Sequence, residues 1–503
     1  MARPAAYAAV DLGAGSGRVV LGSFAGGRIF CEVVHRFQAP FRAIDGHDRW
    51  PFEEIMRGVQ AGLRVAGERA RAEGMTLRSV GVDSWGVDYG WLDGEGRLLA
   101  DPICYRDGRT EGVLERLFRK VPRTELYERT GIQYLPINTL VQLFAEHGAG
   151  ERPAEARSLL MMADLVHHAL CGSMSGEVTN ASTTQLWNPK DRTWDEHLAA
   201  VVGMDANRLP RLVEPGTELG RLRPELAREA GLREIAVVAP ATHDTASAVA
   251  GTPLSAGTAY LSSGTWSLLG VELLAPVLSA AARTANFTNE AGVGGTTRFL
   301  RNAMGLWLLE GIRASAARAA DPLEYDRIDT SVHRQAPGDC WVDPDDLRFL
   351  NPADMAAEVR AALEQTGQRA PKDFVTLARC VLQSLALRYA RTIREIEKIT
   401  NYRITEIRVV GGGSKNDFLN QATADATGRV VKAGPVEATA LGNLLVQAIA
   451  DEEVAGLAAG RKMIAEQTPC RVFEPQDSEL WQRAREEFDR LTRPKTRRRS
   501  SRR

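Results

Sequence analysis

The chain has 503 residues, more than one hydrophobic core usually supports, so two domains of roughly 200–250 residues each are expected. Apolar residues make up 44% and charged residues 25%, ordinary for a globular protein, and the net charge is −1. Seven of the Lys and Arg residues crowd the end "RPKTRRRSSRR", so the remaining body is acidic, which argues against a nucleic-acid groove.

No apolar stretch of signal-peptide or spanning length is found, so the expected compartment is the cytoplasm, with no membrane partner. The six cysteines form no C-x-x-C pair, which suggests neither zinc nor a disulfide framework. His167 and His168, with Asp164 one turn earlier, read as a helix surface rather than as metal ligands.

Strands are expected at 7–12, 18–24 and 29–37, then a helix at 52–73. Between the first two strands runs "AAVDLGAGSGRVVLGSF". A dinucleotide fingerprint would need glycine at position 18, which is Arg18, and no Gly-Lys-Ser/Thr follows for a P-loop. The stretch reads instead as a hairpin with a glycine turn and a carboxylate, Asp11, at its mouth. "LRSVGVDSWGVDYGWLD" reads as two strands joined at Ser84–Gly86. Helices are expected at 111–120, 139–147, 159–171 and 195–203, and a buried strand at 234–239.

The chain then restarts: "GTAYLSSGTWSLLGVEL" (257–273) echoes the opening hairpin and aligns Gly264 with Gly13. Further on, "ITEIRVVGGGSKNDFLNQATADATG" gives a strand, Gly411–Gly413, and a helix capped by Asn416 or Asp417. The expected division is 1–247, 248–490 and a disordered basic tail at 491–503.

Two glycine hairpins facing each other across a cleft can offer backbone N–H groups to a polyphosphate, since a Cβ would block close approach. The first loop comprises Gly13, Ala14, Gly15, Ser16 and Gly17. Asp11 can hold the water shell of a Mg²⁺ bridging phosphates, and Thr265 can hydrogen-bond a phosphate. Each loop alone also reads as a plain turn. Asp244 in "ATHDTASAVAG" reads either as a helix cap or as the acceptor of a substrate hydroxyl proton.

Together "VDLGAGSGRV", "GVDSWGVDYGWLD", "YRDGRT", "GIQYLPINTLVQL", "THDTASAV", "YLSSGTWSLLG", "NEAGVGGTTRFLRNAMGLWLLE", "VVGGGSKNDFLNQATADATG" and "GPVEATALGN" resemble the FGGY family of carbohydrate kinases. The resemblance runs over roughly residues 7–485. It implies an α/β, two-lobed fold of the actin/hexokinase/chaperone-ATPase kind, with a duplicated mixed-sheet core and an interlobe cleft. It also implies ATP as donor with Mg²⁺, and its most specific strings point to L-rhamnulose, phosphorylated at the 1-hydroxyl.

By that resemblance Asp244 is the proton acceptor, flanked by His243 and Thr245 at the sugar, and Gly13–Gly17 and Thr265 meet phosphates. Gly411, Gly412 and Gly413 lie at the nucleoside end, and Asn302 lines the cleft. Glu310 stands where a neutral amide near the nucleotide is expected. Gly86, Tyr134 and Asn138 are expected at the sugar, the aromatic face suiting the methyl of a deoxy sugar. A kinase for another ketose, such as fuculose or xylulose, and a non-catalytic nucleotide switch are the rivals. Monomer and homodimer both stay open.

Overall fold

The computed structural model describes residues 3–233, 235–324, 338–476 and 478–492. β1 (Ala5–Gly13) and β2 (Ser16–Ser23) form the expected hairpin, with Asp11 opposite Arg18 and Gly13 opposite Ser16. Ala5 to Leu12 are all buried, because layers cover both faces of β1. β3 (Phe30–Gln38) pairs antiparallel with β2, and β4 (Thr76–Ser84) runs parallel to β1 on its other side. β5 (Glu218–Arg221) and β6 (Ala236–Val238) complete the sheet, in the order β3-β2-β1-β4-β6-β5. α1 (Phe52–Ala72) covers one face through Ile55, Val59, Leu63, Ala66 and Ala70, an i, i+4 stripe.

The second sheet repeats this wiring. β7 (Thr258–Ser263) and β8 (Trp266–Leu273) form its hairpin, and β9 (Thr288–Ala291) and β10 (Thr297–Met304) extend it beyond β8. β11 (Glu406–Val410), β12 (Val430–Ala433) and β13 (Arg471–Phe473) lie on the β7 side. The order is β9-β10-β8-β7-β11-β12-β13. Here β11 runs parallel to β7, β12 parallel to β11, and β13 antiparallel to β12, matching β4, β6 and β5 in turn. Only β9 has no counterpart. The core is duplicated.

Two helices cross between the sheets. α2 (Asp244–Ala250) follows β6, and α4 (Ala438–Ala450) follows β12. A Cβ on Gly442 would lie 1.8 Å from the Ser247 carbonyl oxygen, and one on Gly251 would lie 2.2 Å from that of Ala438. Glycine is therefore what lets these backbones touch. Although α4 belongs to the second half in sequence, its Ala440, Leu441, Leu444 and Leu445 share a core with Tyr7, Ala9 and Val20. A cut at 247/248 thus divides the chain but not the packing of the first sheet.

Several expected elements differ. Ser84 ends β4 without a hairpin, and Tyr89–Leu92 pairs instead with Ser158–Met161. Consequently the helix expected from 159 begins at Met162. An unforeseen helix spans Arg123–Thr130, and the helix before it is Val113–Lys120. His167 is not on a helix surface. It is buried, its Nε2 accepts from the Val82 amide at 3.1 Å, and burial pushes it down to about 3. No three-residue metal cluster and no disulfide occur among the described residues. Of the basic tail, 493–503 lie outside the described residues, as does Glu234 of the expected 234–239 strand.

Candidate active site

A cavity of about 280 Å³ lies where the tips of β1, β4, β7 and β11 meet α2. Of the residues expected from sequence, Asp11, Gly13, Ala14, Gly86, Asn138, His243, Asp244, Thr245, Thr265, Asn302, Gly411 and Gly412 line it. They come from both halves of the chain.

The glycines divide by what each position demands. Gly15 has φ +116° at the turn of the first hairpin, and Gly411 has φ +80° at the end of β11, conformations that favour glycine. Gly17 and Gly413 are set by packing: their Cβ atoms would collide with the Phe37 ring and with Ser263. Gly17 and Ser16 belong to β2 and do not line the cavity, so Gly17 owes its glycine to Phe37. Gly13, Gly264 and Gly412 have neither constraint: the nearest contacts of a Cβ lie at 3.6 Å and 3.8 Å, and none lies within 4 Å at Gly412. What these three leave open is the cavity itself.

The first hairpin carries a linked set of charges. Arg18 donates to Asp11 Oδ2 at 2.5 Å and approaches Glu437 Oε2 at 2.5 Å, tying the first hairpin to the start of α4. Beside Asp11 across the parallel register is Asp83, fully buried and accepting from Asn443 at 2.6 Å. Burial, and then the Asp11 charge, hold the Asp83 carboxyl well above the usual carboxylate range.

Asp244 is the first residue of α2 and does not cap it. The capping position is His243, which makes no side-chain cap bond, and Asp244 accepts from the Thr245 hydroxyl at 3.0 Å. Burial in the cleft raises its carboxyl; His243 opposes this and the Asp11 charge adds to it.

The loop after β4 forms another wall. Val87 holds φ +71°, rare for a β-branched residue, and its carbonyl is pinned by Thr139 Oγ1 at 2.7 Å and Gln142 at 3.2 Å. Gly86 is there for space, since a Cβ would lie 2.9 Å from Thr183 Oγ1. Asn138 donates to the Gln133 carbonyl at 2.8 Å and to Gln185 at 3.2 Å, so its amide nitrogen braces the wall. Below the loop Asp88 accepts from the Trp50 and Trp85 indoles at 2.7 and 2.9 Å, and burial pushes its carboxyl up to about 6.

Two expected contacts fall elsewhere. Tyr134 lines a neighbouring cavity of about 210 Å³, with its ring against Phe118 and its hydroxyl on the Arg123 carbonyl. The aromatic surface of the main cavity comes instead from Trp85, Tyr105 and Trp266. Glu310 lies on α3 (Trp307–Arg318), half-exposed and paired with Arg313 at 2.9 Å, outside the cavity lining. Sequence reading also missed Gln133, which exchanges hydrogen bonds of 2.9 and 3.0 Å with the Asn302 backbone across the cleft. A glutamine buried by a partner 169 positions away carries no local signal.

Paired glycine tips, a carboxylate in the cleft between them and walls from both lobes make a phosphoryl-transfer enzyme of the two-sheet ATPase architecture. Residues 6–251 match the N-terminal domain and residues 259–450 the C-terminal domain of the FGGY family of carbohydrate kinases, and the chain belongs to that family. It is 40% identical over 480 residues to a protein of Bacteroides thetaiotaomicron named rhamnulokinase, spanning 95% of this chain and 97% of that one. It is 38% identical over 472 residues to the rhamnulokinase of Bacillus subtilis, spanning 94% and 96%. A gluconate kinase structure from Lactobacillus acidophilus superposes with a TM-score of 0.80 at 15% identity, covering 97% of each chain, which shows the shared fold. The protein is an ATP-dependent sugar kinase.

Proposed function

We propose that the protein transfers the γ-phosphoryl group of ATP to the 1-hydroxyl of L-rhamnulose, giving L-rhamnulose 1-phosphate and ADP. The substrate assignment rests on the 38–40% identity, over nearly the whole chain, to proteins named rhamnulokinase. The observation that carries the mechanism is the single cavity joining Gly13, Thr265 and Gly411 to Asp244.

In this reading the phosphates lie against the Gly13–Ala14 and Gly264–Thr265 tips, and the nucleoside side lies toward Gly411 and Gly412. The sugar sits between Gly86, Asn138 and the Asp244 carboxylate, which accepts the hydroxyl proton as the new oxygen–phosphorus bond forms. A carboxylate suffices here because a loose transition state asks for orientation and late proton acceptance. Walls from both lobes exclude water that would otherwise take the phosphoryl group.

A magnesium ion fits this donor set through the nucleotide. Asp11 has one oxygen engaged by Arg18, and the described residues contain no all-protein cage. Asp11 would reach the water shell of an ion carried on the phosphates, where the ion neutralises their charge.

The test is ADP release by the purified protein with L-rhamnulose, L-fuculose and D-xylulose. L-rhamnulose should give the highest kcat/KM. Equal rates with and without every sugar would defeat the kinase reading, and preference for another ketose would reassign the substrate.

A further inference from the structure

Two buried charges have no part in the mechanism so far: Glu290, which lines the cavity, and Arg298 behind it. Glu290 on β9 stands opposite Arg298 on β10 in the antiparallel register. The Arg298 side chain is fully buried, and that of Glu290 is 5% exposed. Arg298 Nη1 lies 3.1 Å from Glu290 Oε2, and its Nε donates to the Ala291 carbonyl at 3.0 Å. Its remaining nitrogen, Nη2, lies 3.1 Å from His243 Nδ1. On the far side of the same ring, His243 Nε2 lies 3.5 Å from Asp244 Oδ1.

Donor and acceptor rules order this chain. A guanidinium has no acceptor, so at the Arg298 contact His243 Nδ1 accepts. The hydrogen of the neutral ring then sits on Nε2, facing Asp244 Oδ1. Glu290 Oε2 also lies 3.3 Å from Nδ1 and competes for a hydrogen there, but the Arg298 contact is the one that closes with hydrogen-bond geometry. The partner of Glu290 is the Arg298 charge, which would be costly to bury alone. Thr245 donates to the same Oδ1 at 3.0 Å, so the ring nitrogen and the hydroxyl both face one oxygen of the carboxylate.

We propose that Glu290 and Arg298 are positioning residues: the pair fixes His243 with its hydrogen on Nε2, and His243 turns Asp244 so that Oδ2 meets the sugar. This rests on the kinase reading above. The proton of the 1-hydroxyl passes to Oδ2 while the sugar oxygen bonds to the γ-phosphorus. The bond from that phosphorus to the bridging oxygen breaks, and its electron pair leaves with ADP. β9, which carries Glu290, is the strand of the second sheet without a counterpart in the first. It is what lets the second lobe reach a carboxylate at the end of the first.

Two experiments test this. In protein labelled with ¹⁵N-histidine, the ring signals lost in His243→Asn identify His243 in the unaltered enzyme. They should report an unprotonated Nδ1 and a protonated Nε2; the reverse tautomer would overturn the proposal, and this readout needs neither activity nor a folded Glu290 variant. In kinetics, Glu290→Gln should lower kcat roughly tenfold or more with the KM for ATP unchanged, and Glu290→Asp should recover part of it. Glu290→Gln in the His243→Asn background should cost little more, because the pair acts through that ring. Losses that multiply independently, or that appear in both KM values and the unfolding midpoint alone, would mean a structural role. An unaltered enzyme that phosphorylates no sugar would defeat the functional reading instead, leaving the tautomer result to stand or fall by itself.

Discussion

The two hairpins share a topology but not a chemistry. In the first, Asp11 faces Arg18 across the strands, and the chain turns in two residues between Gly13 and Ser16. In the second, Ser262 faces Leu268, and the turn between Ser263 and Ser267 takes three residues, Gly264 to Trp266. One tip presents an ion pair with Asp83 alongside; the other presents glycine and hydroxyls. Duplication supplied two backbones that converge on one cavity, and divergence gave one a charged face and the other a neutral face. A polyanion between them meets open backbone on both sides and a carboxylate on one.

The largest expected effect breaks the charged side at its reacting group. Asp244→Asn should lower kcat by about 10²–10⁴. The unfolding midpoint should hold or rise, because burial disfavours the carboxylate and α2 does not depend on it for a cap. An early-melting variant with full turnover would make Asp244 a structural residue.

Asp88, deeper on the same side, sharpens the contrast through pH. Its carboxyl is raised from 3.8 to about 6, so the folded protein binds its proton more tightly than the unfolded chain does. Its contribution to stability is full below pH 3.8 and is lost as pH rises through about 6. The loss amounts to about 3 kcal/mol at most. Unfolding free energies from about pH 4 to about pH 7, compared between the natural chain and Asp88→Asn, should show this slope in the first only. Parallel curves would place the Asp88 pKa near its ordinary value.

The neutral tips are tested by Gly13→Val and Gly264→Val. Neither position needs positive φ or lacks room for a Cβ, so the fold should survive. Each valine should weaken binding of an ATP analogue by about tenfold, about 1.4 kcal/mol, by filling the approach to the backbone. Unchanged affinity in both, measured by calorimetry, would leave the tips as plain turns.

Much of this was legible in sequence because it is local. Strand–glycine–strand runs at 8–24 and 257–273 gave both hairpins, and Arg18 at the position of a fingerprint glycine excluded a dinucleotide loop. Asn416 does cap its helix, accepting from the Leu419 amide at 2.8 Å. What stayed hidden depends on distant partners. Tyr134 looked like a sugar platform, yet its ring packs on Phe118, and Trp85, Tyr105 and Trp266 converge from three separate segments. The 77–93 stretch alternates like a hairpin joined at Ser84–Gly86, but its second strand finds Ser158–Met161 instead. Glu290 and Arg298 carry no local signal, and only the register of β9 and β10 buries them together.

Both halves of the chain line the one cavity proposed to take sugar and nucleotide. Walls already meet through Gln133 with Asn302 and through Arg106, whose guanidinium donates to the Leu350 carbonyl at 2.7 Å and lies 4.2 Å from the Trp307 ring. A sugar that completes the cavity should therefore strengthen nucleotide binding. The direct measurement is calorimetric titration of a non-hydrolysable ATP analogue with and without L-rhamnulose. The account predicts an affinity gain of about 5- to 150-fold, a coupling of about 1–3 kcal/mol, with the sugar present. Equal affinities in the two titrations would contradict it.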